Sequence, residues 1–252
     1  MIPIAADLHT HTNASQHAYS TVYENITFAA KRGFCAIANT DHGPAMPDSP
    51  HIWNISKQKK LPPVVEGVRL LKGVEANIID YRGGLDIEDA VLASLDWVIA
   101  SMHTYTLPPA SPEAHTAAWL AVAENPRVDL IGHCGDIRFA FDIERVVKAF
   151  KEHHKVVEVN NNTFRARPES KQNCAAIVRC CMAHQVPVAV SSDAHFCTDI
   201  GDHSLALAFL AELDFPPQLV VNSTPDQLDA CLRHYRRKDF GVLPLPQQRQ
   251  DP

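Results

Sequence analysis

Seven short, almost wholly apolar runs recur along the chain, at residues 4–8, 35–39, 70–76, 97–101, 128–131, 156–159 and 187–191. Runs this short and this apolar read as strands covered on both faces, as in a parallel sheet flanked by helices. Helix-period segments separate many of them, at 22–32, 112–124, 142–154, 169–183, 204–213 and 225–236. The last opens with Ser223-Thr224-Pro225, a capped start with proline in the first turn. Strand–helix alternation with seven strands predicts an α/β fold closed, or nearly closed, into a barrel. No composition shift divides the chain, so residues 1–242 are expected to form one domain and 243–252 a frayed tail. The Pro-, Asp-, Ser- and Lys-rich stretch 44–63 reads as a long loop that shapes the site.

Composition removes several function classes. No stretch approaches the roughly 18 consecutive apolar residues of a membrane helix. The N-terminus has no basic leader and enters motif residues at once, so no cleaved signal peptide is expected. The seven cysteines form no regular framework, which fits a reducing cytosol and a cytoplasmic location. A net charge of −6 argues against a nonspecific nucleic-acid surface.

In parallel α/β barrels, side chains just past the C-terminal ends of the strands converge on one face. Here those positions carry His9 and His11, His42, Glu75, His103, His133, and Asp193 with His195, while His17 follows in the loop after the first strand. Only the sixth run, ending in Asn160-Asn161-Asn162, brings no strong ligand. Neutral imidazole and carboxylate are the ligands that borderline ions such as zinc prefer. His9 and His11 are two apart, so in an extended segment both face one side, and Asp193-Ala194-His195 repeats that spacing. A single histidine at a strand end is more often a hydrogen-bonded structural residue; nine convergent positions reverse the odds.

These motifs resemble the polymerase and histidinol phosphatase (PHP) family. Asp7-Leu8-His9-Thr10-His11 with Ser15-Gln16-His17-Ala18-Tyr19-Ser20 is similar to its opening motif, Thr40-Asp41-His42-Gly43 to its second, Gly132-His133 to part of its third, and Ser192-Asp193-Ala194-His195 to its fourth. Glu75 and His103 fill the remaining ligand positions. The match spans nearly the whole chain, with greatest similarity to the small stand-alone bacterial phosphatases. The resemblance implies a distorted (β/α)7 barrel with a trinuclear, usually zinc, cluster at the C-terminal rim of the strands. It implies that His9, His11, Glu75 and Asp193 hold a first ion, that Glu75 bridges to a second completed by His103 and His133, and that His17, His42 and His195 hold a third. It also allows a homotrimer. Cys134 stands where close relatives often carry proline, so its thiol is a candidate extra ligand.

Three divalent ions less two carboxylates leave a strongly positive site suited to an anionic substrate. The expected activity is that of a phosphoric monoester hydrolase: attack on a small phosphate monoester by a metal-bridging hydroxide, with Glu75, Asp193 and His195 as catalytic candidates. Zinc is the first choice of ion, and manganese or iron can occupy some positions. Asp41 reads either as a carboxylate orienting an imidazole or as a cap on loop backbone. Arg165, Arg167 and Lys171 are candidate phosphate contacts, Phe164 and Tyr19 candidate pocket walls, and Trp53 with His51 a candidate lid. His153, His154, His184 and His234 fall in helical segments and read as surface or packing residues. The competing readings are a phosphodiesterase or exonuclease of the same family and a non-catalytic metal-binding accessory module. No nucleic-acid or membrane partner is expected.

Overall fold

The computed structural model describes residues 2–236; the expected tail at 243–252 and the end of the expected 1–242 domain lie outside the described residues. In chain order the elements are β1 (Ala6–Asp7), α1 (Val22–Lys31), β2 (Ala36–Asn39), α2 (Ile52–Ser56), β3 (Val64–Val65), β4 (Val68–Asn77), α3 (Asp89–Leu92), β5 (Trp97–Ser101), α4 (Pro112–Glu124), β6 (Leu130–Ile131), α5 (Ile143–Glu152), β7 (Val156–Asn160), α6 (Asn161–Ala166), α7 (Lys171–His184), β8 (Val188–Ser191), α8 (Ser204–Glu212) and α9 (Pro225–Arg236). β1-β2-β4-β5-β6-β7-β8 pair in that order, all parallel, and match the seven apolar runs. The two-residue β3 pairs antiparallel with β4 through a tight turn at Glu66 and Gly67, both with positive φ.

The sheet curls into a nearly closed barrel whose seam, between β8 and β1, is not a regular ladder. At the C-terminal rim the chains meet directly: Asp193 N donates to His9 O at 3.0 Å and His11 N to Ala194 O at 2.9 Å. Further down, the segment before α9 is wedged between the two strands. Val221 N donates to Val188 O and Ala5 N to Asn222 O, both at 2.8 Å. The fully buried Asn222 side chain donates to Ala6 O (2.8 Å) and Val190 O (2.6 Å) and accepts from Val190 N (3.1 Å). One amide thus satisfies backbone groups on both sides of the seam.

Strand alternation then sorts the side chains. Leu71, Trp97, Ile99, Leu130, Val156 and Ala189 form one buried cluster with Leu228, Cys231 and Leu232 of α9. Counting on by two along the same faces leads from Leu71 to Glu75, from Val156 to Glu158 and Asn160, and from Ala189 to Ser191, so the apolar interior gives way to polar groups toward the rim. The alternate residues, such as Val74, Val98, Val157 and Val190, pack into a larger cluster with Trp119, Phe150 and Phe209 of the helices. Both faces of most strands are therefore apolar except near the C-terminal ends; β4, with Arg69 and Lys72, is the exception.

The long stretch 44–63 is not featureless. It holds α2, capped by the His51 side chain accepting from Trp53 N, and a 3-10 turn at Gln58–Lys60. Ile55 anchors it in the core, and Gln58 Nε2 donates to Gly73 O at 2.8 Å. Five residues are too few to display helical periodicity. The six-residue α6 escaped for the same reason; it starts directly after β7, with the Asn160 side chain accepting from Thr163 N at 2.9 Å. Among the described residues, no helix is long and apolar enough to cross a membrane.

Asn222→Ala strips the seam of three side-chain hydrogen bonds and leaves buried backbone groups unpaired, at about 1–3 kcal/mol each. The expected result is a fall in unfolding free energy of about 3 kcal/mol or more, read as a lower urea midpoint at unchanged slope. A loss below about 1 kcal/mol would mean that the seam does not depend on this amide.

Candidate metal centre

All nine singled-out side chains meet at the C-terminal rim. Glu75 lies at the middle, 1% exposed. Its Oε2 is 3.3 Å from His9 Nε2, 3.6 Å from His11 Nε2 and 2.8 Å from His42 Nδ1. Its Oε1 is 2.9 Å from His133 Nε2 and 3.2 Å from His103 Nε2, so each carboxylate oxygen faces a different set of imidazoles. Asp193 Oδ1 is 3.1 Å from His11 Nε2 and 3.6 Å from His9 Nε2. His17 and His195 approach through their Nε2 atoms at 2.8 Å, and the His11 ring lies 4.5 Å from those of both His42 and His195. Donors around one tetrahedral zinc ion, at roughly 2.0–2.1 Å from it, stand about 3.3 Å apart, close to the spacings found here.

The outer edges of the rings are tied to acceptors. His9 Nδ1–H donates to Glu158 Oε1 at 2.7 Å, and His195 Nδ1–H to the backbone oxygen of Asp193 at 2.9 Å. His103 Nδ1–H donates to Asn77 Oδ1 at 2.8 Å. The Asn77 amide cannot flip, because its Nδ2 donates to Gly43 O and to Asp86 Oδ2. His17 Nδ1 pairs with Asp48 from the long loop. Such partners fix the tautomer and aim the inner nitrogen's lone pair at the centre. His103 Nε2 thus turns a lone pair toward Glu75 Oε1, an arrangement that is repulsive unless a cation lies between them. The buried His42 Nδ1 has no hydrogen-bond partner despite its 2.8 Å approach to Glu75, and the buried His11 Nδ1 has none either. Nitrogen and oxygen donors crowded this closely, two of the ring nitrogens buried without a partner, fit divalent ions.

Charges in the cluster are strongly coupled: against the opposing effect of burial, the buried carboxylates pull His9 and His42 above their ordinary values. Burial opposes ionisation of Glu75, yet His9, His103 and His42 hold its carboxyl well below the usual range. Asp193, buried likewise, is held well below its usual value by His9, His11 and His195. Burial pushes His103 down to about 4 against the pull of Glu75, so its ring is neutral near neutral pH. The backbone is strained at two of the positions: His133 has φ +24° and Asp193 φ +56°, in a region that non-glycine residues seldom occupy. Gly132 precedes the first of them because a Cβ there would collide with Ser101 Oγ.

The sixth apolar run brings no ligand to the donor groups found among the described residues, as expected, but it supplies, behind the ligands, a carboxylate that the sequence motifs do not mark. Glu158 of β7 is buried and accepts from His9 Nδ1, from His133 N at 2.6 Å and from Ser191 Oγ. A single acid inside Val-Val-Glu-Val was the available signal, because a charge in a two-sided buried strand requires a partner. Asp48 and the Asn77–Asp86 pair were missed as well, and nothing in their spacing marks them.

Asp41 contacts no imidazole among the described residues. It accepts from Thr12 N (2.8 Å), Thr12 Oγ1 (2.7 Å) and Ser15 Oγ (2.9 Å), so it caps the loop behind His11, the second of its two expected readings. Arg165 is engaged by Asp202 at 2.7 Å and Lys171 by Glu212 at 2.8 Å. Arg167 shares Asp136 with Arg138, at 3.2 and 2.6 Å. Phe164 packs on Phe209, ring centroids 4.6 Å apart, while Tyr19 is 74% exposed beside the cluster, its N–H donating to His195 O. Cys134 is buried in the outer core cluster with Cys181 and takes no part in the donor groups, so it is packing and not an extra ligand.

A nearly closed parallel barrel with a histidine–carboxylate cluster at its C-terminal rim defines a class of metal-centred α/β proteins. Residues 7–162 match the family model of the PHP domain, and the chain belongs to that family. A protein from Acetivibrio thermocellus named "Probable phosphatase" is 42% identical over 232 residues, 92% of this chain and 96% of its own. A similarly named protein from Vibrio parahaemolyticus is 43% identical over 223 residues, 88% of this chain and 89% of its own. Among solved structures, histidinol phosphate phosphatase from Lactococcus lactis, complexed with zinc, L-histidinol and phosphate, aligns with a TM-score of 0.55 at 16% identity. The alignment covers 83% of this chain and 92% of that one, and at this identity it is a likeness of fold.

Two outcomes are expected. Glu158→Gln keeps the side-chain shape but loses the charge behind His9, and should weaken retention of divalent metal about 10–100-fold. Metal content measured against a graded chelator, with circular dichroism to check folding, reads this; unchanged retention would sink the role. Asp136, held at about 2 by Arg138 and Arg167 against its burial, has an ordinary value of 3.8. A depressed folded-state pKa gives stability above the unfolded value that is lost as pH falls through the folded one. Asp136→Asn should therefore be less stable than the parent at neutral pH, with the gap closing between about pH 4 and pH 2.

Proposed function

We propose that this chain is a metal-dependent phosphatase that hydrolyses small phosphate monoesters at the rim cluster. The observation that carries the reading is the convergence of seven imidazoles and two carboxylates at the rim, with His103 Nε2 3.2 Å from Glu75 Oε1 while its other ring nitrogen is held on Asn77 Oδ1. The names of the Acetivibrio and Vibrio relatives support phosphatase chemistry. His9, His11, Glu75 and Asp193 would hold one ion, Glu75, His103 and His133 a second, and His17, His42 and His195 a third. His42 supports this division least cleanly, because it groups with Glu75 and His103 as well as with His11 and His195. Donors that are all nitrogen and oxygen suit zinc first and admit manganese or iron. When bound, such ions neutralise phosphate charge and make water nucleophilic near neutral pH.

The chain's own residues supply position and access. The side chains of His9, His11 and Glu75 are at most 1% exposed, and form the floor. His103 (11%), His195 (27%) and His17 (44%) are progressively more open, so substrate phosphate enters over His17 and His195. Asn160 and Asn162 donate to Asp193 Oδ2 at 3.2 and 3.5 Å, which leaves Oδ1 turned toward His9 and His11. Arg165 and Arg167, both engaged by carboxylates, are assigned no step. A cytoplasmic location is part of the proposal, supported by seven free cysteines.

Zinc-loaded protein should hydrolyse p-nitrophenyl phosphate, lose that activity to a chelator, and regain it on adding metal back. Glu75→Gln and His17→Ala should each lose about 100-fold or more in kcat/KM, roughly 2.7 kcal/mol of transition-state stabilisation, with folding retained. Comparable cleavage of bis-p-nitrophenyl phosphate or single-stranded DNA would favour the diesterase reading. No turnover across a broad phosphoester panel would favour an accessory module.

A further inference from the structure

The rim cluster contains no sulfur. A different set of donors lies elsewhere, across the pair of helices α5 and α7. Cys180 and His184 stand one turn apart on α7, a spacing that puts both on one face. Glu144, in the first turn of α5, reaches that face: its Oε1 is 3.0 Å from His184 Nε2, and its Oε2 accepts from Cys180 Sγ at 3.3 Å. Three donor atoms of three kinds thereby lie within 4.8 Å of one another. The side chains of His184 (27% exposed) and Glu144 (59%) are open to solvent, so an ion has a path in. Lys148 also touches Glu144, at 2.8 Å, one turn along α5. An exposed pair of this kind is a weak competitor for a divalent ion.

We propose that Cys180, His184 and Glu144 form a separate, mononuclear site for a divalent ion of the zinc class, clamping α5 to α7. The donor chemistry selects the ion: one thiolate, one imidazole and one carboxylate match borderline metals and exclude magnesium or calcium as preferred occupants. Three protein ligands leave the fourth tetrahedral position to water. On binding, the Cys180 thiol releases its proton to solvent and His184 carries its hydrogen on Nδ1. The ion takes the place of the two hydrogens that otherwise link these groups to Glu144. Because α5 follows the strand before His133, and α7 precedes the strand before Asp193, the clamp joins two supports of the rim without touching it. The site is independent of the catalytic proposal.

Cobalt(II) separates this site from the rim by spectroscopy. A thiolate-to-cobalt charge-transfer band in the near ultraviolet requires a bound cysteine, which none of the nine rim residues can supply. Full-length protein loaded with cobalt(II) should develop that band, and added zinc should displace it. Cys180→Ser should abolish the band while phosphatase activity persists, and His184→Ala and Glu144→Gln should each raise the cobalt concentration needed to reach it at least tenfold. Circular dichroism checks that the half-exposed substitutions leave folding unchanged. Absence of the band at full cobalt loading, its survival in Cys180→Ser, or unchanged binding in His184→Ala would each overturn the proposal. A chain that shows the band but hydrolyses no phosphoester would leave this site standing and refute only the catalytic reading.

Discussion

Seven imidazoles pressed against two carboxylates form the constraint around which the rest of the molecule is arranged. Most approaches in the cluster lie between 2.8 and 3.6 Å, and His9 and His103 approach Glu75 through one ring nitrogen while the other is held by an acceptor outside the cluster. Such a group does not assemble for its own stability. It is held by what stands behind it: Glu158 behind His9 and His133, Asn77 and Asp86 behind His103, Asp48 behind His17, and the Asp193 carbonyl behind His195. For His9, His17, His103 and His195 the backing group holds the outer ring nitrogen and leaves the inner one for a cation. Glu158 fixes His133 through its backbone, and Asp86 fixes the Asn77 amide.

The barrel makes that arrangement possible through strand parity. Faces that are apolar at Leu71, Val156 and Ala189 carry Glu75, Glu158 and Ser191 a few residues on, so one interior serves first as core and then as site. The irregular seam has the same outcome. Where β1 and β8 fail to pair as strands, Asn222 satisfies the backbone below, while the rim above is tied by His9–Asp193 and His11–Ala194 hydrogen bonds. The seam's upper end is thereby part of the candidate metal centre, and distortion of the barrel and placement of four of the donors are one structural fact.

Much of this was legible in the chain. The seven parallel strands coincide with the seven apolar runs, and the long helices α4, α5, α7, α8 and α9 fall within a few residues of their periodic segments. What escaped was short or non-local. α2 and α6 have too few turns to show a period, and β3 exists through a two-residue turn. Two side chains adjacent to a histidine, Asp41 and Cys134, turn away from the cluster, Asp41 into the loop-capping role that was one of its two expected readings and Cys134 against the expectation of an extra ligand. Asp41 turned to the Thr12–Ser15 loop, and Cys134 turned into the outer core.

The amino-acid sequence was enough for the architecture and the inventory of donors, because short runs that are almost wholly apolar require strands covered on both faces, and a parallel barrel gathers the residues that follow them. Tertiary structure alone decided which atom of each donor faces inward. His195 uses the carbonyl of Asp193 two residues away, whereas for His9, His17 and His103 that choice depends on acceptors 26 to 149 residues distant along the chain, Glu158, Asp48 and Asn77. A hydrogen bond of that separation leaves no periodicity behind; it exists only once the barrel has closed.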